Sequence, residues 1–101
     1  MPVIIDTEET TLIAHIQGEI DHHNAAEIRR DIDLAADKHR PVKLVLDFDD
    51  VTFMDSSGIG LVMGRYKLIK PLGGKIHIIN TSSQIKKVMK LAGLDRLASI
   101  E

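Results

Sequence analysis

Cysteine and tryptophan are absent from the 101 residues, and one tyrosine and two phenylalanines make up the whole aromatic complement. Without cysteine there is no disulfide, no thiolate nucleophile and no cysteine metal site, and a reducing compartment is permitted. The core must be built mainly from Ile, Leu, Val and Ala. No apolar run approaches the roughly 18 to 20 residues that cross a bilayer. The opening Met1-Pro2-Val3-Ile4-Ile5-Asp6 has no basic leader followed by an apolar segment. The expectation is a soluble, cytoplasmic protein without a membrane partner. Thirteen basic residues stand against fifteen acidic ones, a formal charge of -2, and no sustained Lys/Arg run occurs. The electrostatic footprint of a nucleic-acid binder is therefore missing. No Gly-x-x-x-x-Gly-Lys-Ser/Thr phosphate loop is present either. A chain of this length makes one domain, so function must sit on one small surface.

What is there alternates between two periods. Val3 to Ile5 and Thr11 to Gln17 read as strands joined in a hairpin, with Leu12, Ala14 and Ile16 on one face. Gly18-Glu19-Ile20-Asp21 breaks the extended pattern, and Asp21 or Asn24 is placed to cap a helix that buries Ile28, Ile32 and Ala35 and stops before Pro41. Val42 to Phe48 is dense in apolar residues, as expected of a central strand covered on both faces. Asp49 to Met54 reads as a charged connection. Ile59, Val62, Met63, Tyr66 and Ile69 recur at helical spacing until Pro71-Leu72-Gly73-Gly74. Lys75 to Ile79 is another strand. Asn80-Thr81-Ser82-Ser83 offers several caps for a helix with Ile85, Val88, Met89 and Ala92 on its apolar stripe, and Gly93 is the C-terminal stop. Leu97 to Ile100 closes the order β-β-α-β-α-β-α-β. That order predicts an α/β fold: a mostly parallel or mixed sheet of four or five strands packed by helices.

Phe53-Met54-Asp55-Ser56-Ser57-Gly58-Ile59-Gly60 puts adjacent hydroxyls where a strand turns into a helix. A nucleophilic serine needs a general base and commonly a Gly-x-Ser-x-Gly elbow, which is absent here. The hydroxyl reads better as a substrate than as a reagent. A phosphate on Ser57 would bring about -1.5 to -2 charges to the first turn of the helix. Helix amides would favour it, while Asp55, and with it Asp49, Asp50 or Asp21, would repel it. Asp55 has a second reading as a helix cap. Gly58 and Gly60 either keep the loop open to a partner backbone or serve tight packing. Position alone does not choose between Ser56 and Ser57.

The remaining polar clusters have plainer readings. Asp21-His22-His23-Asn24 is a surface turn rather than a metal site, because adjacent histidines do not converge readily on one ion. His15, His39 and His77 stand isolated in sequence. Lys86, Lys87 and Lys90 form a solvated basic face. Arg65, Lys67 and Lys70 complement a helix C-terminus.

Asp55-Ser56-Ser57-Gly58-Ile59-Gly60 resembles the phosphoacceptor motif of the STAS family. Gly18-Glu19-Ile20-Asp21-His22-His23 and Gly64-Arg65-Tyr66-Lys67 are similar to its sporulation anti-sigma factor antagonists, and the likeness covers nearly the whole chain. The resemblance implies a non-enzymatic regulator that binds an anti-sigma factor with serine kinase activity and displaces the sigma factor. The kinase would use ATP and magnesium to phosphorylate Ser57, the antagonist would hold no cofactor of its own, and a serine phosphatase would restore it. The implied partner surface comprises Asp21, Asp55, Ser56, Ser57, Gly58, Ile59 and Gly60, with Ser56 shaping the loop. It further implies one STAS domain over residues 1–101, shortened before the family's final C-terminal helix. A stress-response antagonist and a non-switching STAS binding module are the neighbouring alternatives.

Overall fold

β1 (Val3–Glu8) and β2 (Thr11–Ile20) pair antiparallel in register from Val3 opposite Ile16 to Glu8 opposite Thr11. The two-residue connection is possible because Glu9 takes a left-handed φ of 54°. A computed structural model describes residues 2–101. After the hairpin follow α1 (Ala25–His39), β3 (Lys43–Met54), α2 (Ser56–Ile69), β4 (Lys75–Ile79), α3 (Ser83–Leu91) and β5 (Ser99–Ile100). Single 3₁₀ turns cover Lys70–Leu72 and Leu94–Arg96. The five strands lie in the order β1-β2-β3-β4-β5, parallel from β2 onwards.

Because each parallel strand is laid down beside the previous one in a constant direction, right-handed crossovers put all three helices on one face of the sheet. The burial pattern agrees. Leu12, Ala14 and Ile16 of β2, Leu44, Leu46 and Phe48 of β3, and Ile76 and Ile78 of β4 are buried under Ile28 and Ile32 of α1, Val62 and Ile69 of α2, and Met89 of α3. The expectation that β3 is covered on both faces is met away from the helices only at Val45, which is buried. Its other face carries Lys43, Val45 and Asp47, whose neighbours Ile13, His15, His77 and Ile79 are only half-buried.

Two expected breaks prove to be strand. Gly18, at φ 81°, sits where the β2–β3 register shifts, so it supplies a bulge rather than an end. β2 then continues to Ile20. The stretch Asp49–Met54, read as a connection, continues β3 and pairs with β2, ending with Ile20 opposite Met54. This two-stranded extension carries the next loops beyond β1 and β4.

The helix faces also turn slightly from the expected ones. α1 buries Ala36 more deeply than Ala35, and Arg40 at φ 49° closes it just before Pro41. α2 buries Gly58, Leu61, Val62, Arg65 and Ile69, whereas Met63 is exposed. α3 buries Ile85 and Met89 and leaves Val88 exposed. Gly93, at φ 81°, follows α3 in the left-handed conformation that favours glycine. Only Ser99–Ile100 of the expected last strand pairs.

Candidate functional site

Ile20 and Met54 are register partners, so Asp21 and Asp55 emerge side by side where β2 and β3 end. A backbone bond from Asp55 N–H to the Ile20 carbonyl, 3.1 Å, ties the two exits together. Each exit then starts a helix. At the first, the Asp21 carboxylate accepts from the backbone N–H of His23 at 2.9 Å and of Asn24 at 3.0 Å. Asn24 occupies the cap position but spends its side-chain amide on the Glu19 carbonyl. The N–H of Asn24, opposed by desolvation and helped by His23, holds the Asp21 carboxyl below the usual range.

At the second exit, Asp55 is extended and its Oδ1 accepts the Ser57 N–H at 2.7 Å. The capping reading of Asp55 therefore holds. The bond fixes Ser57 in the first turn of α2, with Ser56 exposed and Ser57 half-buried. No imidazole is hydrogen-bonded to either hydroxyl among the described residues, so the nucleophile–base pair of a hydrolase is not assembled.

The two glycines have different duties. Gly58 is buried, and a Cβ there would run into the Met54 side chain and lie 3.3 Å from Ile20 Cγ2. Its absent side chain lets the helix start pack onto the strand ends. Gly60 is exposed and a Cβ there would meet nothing within 4 Å. Ile59 leans on the core. Of the residues expected at a partner surface, Asp21, Asp55, Ser56, Ser57 and Gly60 thus gather at one rim, while Gly58 and Ile59 seat the loop from inside.

Ser57 borders a groove of about 310 Å³ whose other walls are His22 of the turn before α1, Ala25, Ala26 and Arg29 of the first turns of α1, and Gly60 and Leu61 of α2. The α1 members escaped the sequence reading, although positions 22, 25, 26 and 29 carry the helical spacing that marks one face. His22 and His23 lie with ring centroids 4.0 Å apart.

Deeper between the helices the expected role of Arg65 is corrected. It does not dress the end of α2; it is 6% exposed, with Nε 2.9 Å from Oδ1 of Asp33 on α1. The contact is an ion pair without hydrogen-bond alignment, and Nη1 has no partner among the described residues. Burial, only partly offset by Asp33, pulls the guanidinium below its usual pKa. His15 is likewise not isolated. It bridges Asp6 and Asp47 across the open face of the sheet.

Among the described residues no helix is long and apolar enough to cross a membrane. The STAS domain model matches residues 2–101. An anti-sigma F factor antagonist from Paenibacillus polymyxa is 34% identical over 88% of this chain and 76% of its own length. An anti-sigma-B factor antagonist from Bacillus subtilis strain 168 is 29% identical over 97% of this chain and 88% of its own. The solved structure of the anti-sigma factor antagonist SpoIIAA in its unphosphorylated form superposes with a TM-score of 0.83 at 29% identity, covering 98% of this chain and 87% of that one. The Bacillus cell fate determinant SpoIIAA in its phosphorylated form gives 0.76 at the same identity, over 98% and 90%. The fold, the paired strand exits and the match along the described chain together make this protein a member of the STAS domain family.

Proposed function

We propose that this chain is an anti-sigma factor antagonist controlled by phosphorylation of Ser57. The observation that carries the reading is the placement of Ser57: a half-buried hydroxyl on the first turn of α2, fixed by Asp55 and beside the Asp21 turn at one accessible rim. Unmodified, the rim formed by Asp21, Asp55, Ser56, Ser57 and Gly60, seated by Gly58 and Ile59, binds an anti-sigma factor that is also a serine kinase, and the sigma factor is released. The kinase transfers the γ-phosphoryl group of ATP, bound with magnesium on the kinase, to the Ser57 oxygen, giving ADP and a proton. The added charge stands beside Asp55 and Asp21 and weakens the complex. A serine phosphatase returns the hydroxyl. The antagonist performs no chemistry itself and holds no cofactor.

The test is incubation of the purified protein with ATP, magnesium and its cognate sporulation anti-sigma kinase, followed by peptide mass spectrometry. Phosphate on Ser57, lost in Ser57→Ala, is expected. No phosphate on any residue, with an active kinase and a folded target, rejects the reading. The similarity to the anti-sigma-B antagonist over nearly the whole chain favours one rival, a stress-response partner. Comparative binding to both kinases separates the two, since partner choice lies in surface complementarity.

A further inference from the structure

The Ser57 groove is walled on one side by His22 of the turn before α1 with Ala25, Ala26 and Arg29 of α1, and on the other by Ser57, Gly60 and Leu61 of α2. Ala25, Ala26 and Gly60 contribute little side-chain volume to its lining. The ionisable side chains of its lining are the His22 imidazole and the Arg29 guanidinium. At about 310 Å³ the space accepts a phosphate together with several waters, each of which occupies about 30 Å³ in the liquid.

Three observations bear on how a phosphate on Ser57 would be held. The nearest helix amide, Ser57 N–H, is already taken by the Asp55 carboxylate, which repels a phosphate rather than holding it. The cationic side chains of the lining that can compensate a phosphate on Ser57, His22 and Arg29, stand across the groove. Arg29 has no carboxylate within ion-pair distance among the described residues. It also adds positive potential to Arg65, a buried guanidinium whose Nη1 is without a hydrogen-bond partner. Two like charges one helix apart are eased by any anion that enters between α1 and α2.

We propose that the groove is a phosphate clamp acting in cis: a phosphate on Ser57 is drawn across it to Arg29 and His22, fastening the modified loop to α1. This rests on the reading of Ser57 as the phosphoacceptor and adds how the modified state is held. The fork of Arg29 grips phosphate oxygens in the paired manner a guanidinium allows. The clamp fills the groove and turns the phosphate away from an approaching phosphatase, so the modified state persists until α1 is disengaged.

The experiment installs phosphoserine at position 57 during translation and follows its second ionisation by ³¹P NMR, in the otherwise native chain and in Arg29→Gln, Arg29→Lys and His22→Gln. Because no kinase is used, the outcome is independent of whether any kinase accepts Ser57. All three variants change exposed side chains, and an amide spectrum verifies that each is folded. An unclamped phosphoserine titrates at about pH 6. The folded protein is expected to titrate roughly half a unit to one unit lower, the modest end of the range for a nearby opposite charge, because the groove is open to water. Arg29→Gln should return most of that shift, and Arg29→Lys less of it. A second pKa equal to that of an unfolded peptide of the same sequence overturns the clamp. So does a lowered pKa that neither Arg29→Gln nor His22→Gln moves.

Discussion

Nδ1 of His15 stands 2.7 Å from Oδ2 of Asp47, a contact that joins β2 to β3 on the face of the sheet away from the helices. The other ring nitrogen stands 2.9 Å from Oδ2 of Asp6 on β1. A neutral imidazole has a single N–H, so both carboxylates are satisfied together only by the imidazolium. The Asp47 bond, opposed by partial desolvation and reinforced by Asp6, raises the His15 pKa above 6.5. Desolvation works against the Asp47 anion, but bonds from Asn80, the Asp49 N–H and His15 outweigh it and keep that carboxyl low.

The sign of the pH dependence follows. A raised histidine contributes stability that is complete below its unfolded pKa of 6.5 and is lost as pH rises through the higher folded value. The Asp47 share is present above 3.8 and is lost as pH falls through its lowered folded value. Urea unfolding followed from mildly acidic to mildly alkaline pH should show the His15 contribution falling as pH rises above 6.5, and His15→Gln should flatten that limb. An equal slope in the variant would remove His15 as its source.

Asp55→Ala removes the carboxylate that accepts the Ser57 N–H. Loss of such a cap costs about 0.5–2 kcal/mol. Denaturant melts should show the loss, and hydrogen exchange should place the extra fraying in the first turn of α2. Protection there unchanged from the parent would mean that the cap is not what orders the loop.

The two glycines give opposite expectations. Gly60→Ala enters open space on a helix and should stabilise by about 0.5–1 kcal/mol through backbone propensity. It also narrows the Ser57 groove, so partner binding should weaken even as thermal stability rises. Gly58→Ala must displace the Met54 side chain and crowd Ile20, which offsets its helical gain and should leave it less stable than Gly60→Ala. Calorimetry of the two variants tests the ranking, and Gly58→Ala emerging as the more stable would refute it.

Removing either member of the Arg65–Asp33 pair has unequal effects. Asp33 keeps 37% of its side chain in water, whereas the Arg65 side chain keeps 7%. Asp33→Ala strands a buried guanidinium and should cost on the order of 3 kcal/mol. Arg65→Met leaves a carboxylate that water can still solvate, and should stay within about 1 kcal/mol of the parent or exceed it. Equal losses in the two variants would show that the pair acts through attraction rather than through the cost of burial.

The strand and helix order was legible because alternation and helical spacing report burial directly, and Leu12, Ala14, Ile16, Ile28 and Ile32 all lie where their periods put them. The Asp55-Ser56-Ser57 turn was legible through cap chemistry. Asp49–Met54 was not, because its charges are tolerated on a two-stranded extension that no third strand flanks, and local polarity resembles that of a loop. Arg65 was misplaced because its burial depends on Asp33 of another helix, a relation no single-segment pattern carries. Bonding of His15 to residues 9 and 32 positions away is invisible for the same reason. The groove wall from His22 to Arg29 needed the crossover geometry before its spacing acquired a meaning.

The constant direction in which the strands are laid down also decides how the molecule should be held in an assay. Pro2 receives the Gln17 N–H and Glu101 receives that of Thr81, so both lie toward the carboxyl ends of the parallel strands, the side from which Ser57 projects. A group attached at Pro2 or Glu101 would stand on the same side of the sheet as the Ser57 rim. Exposed Thr10 caps the other end of the sheet, where its carbonyl takes the N–H groups of Val42 and Lys43. Coupling through a cysteine at position 10 would leave the Ser57 rim facing free solution.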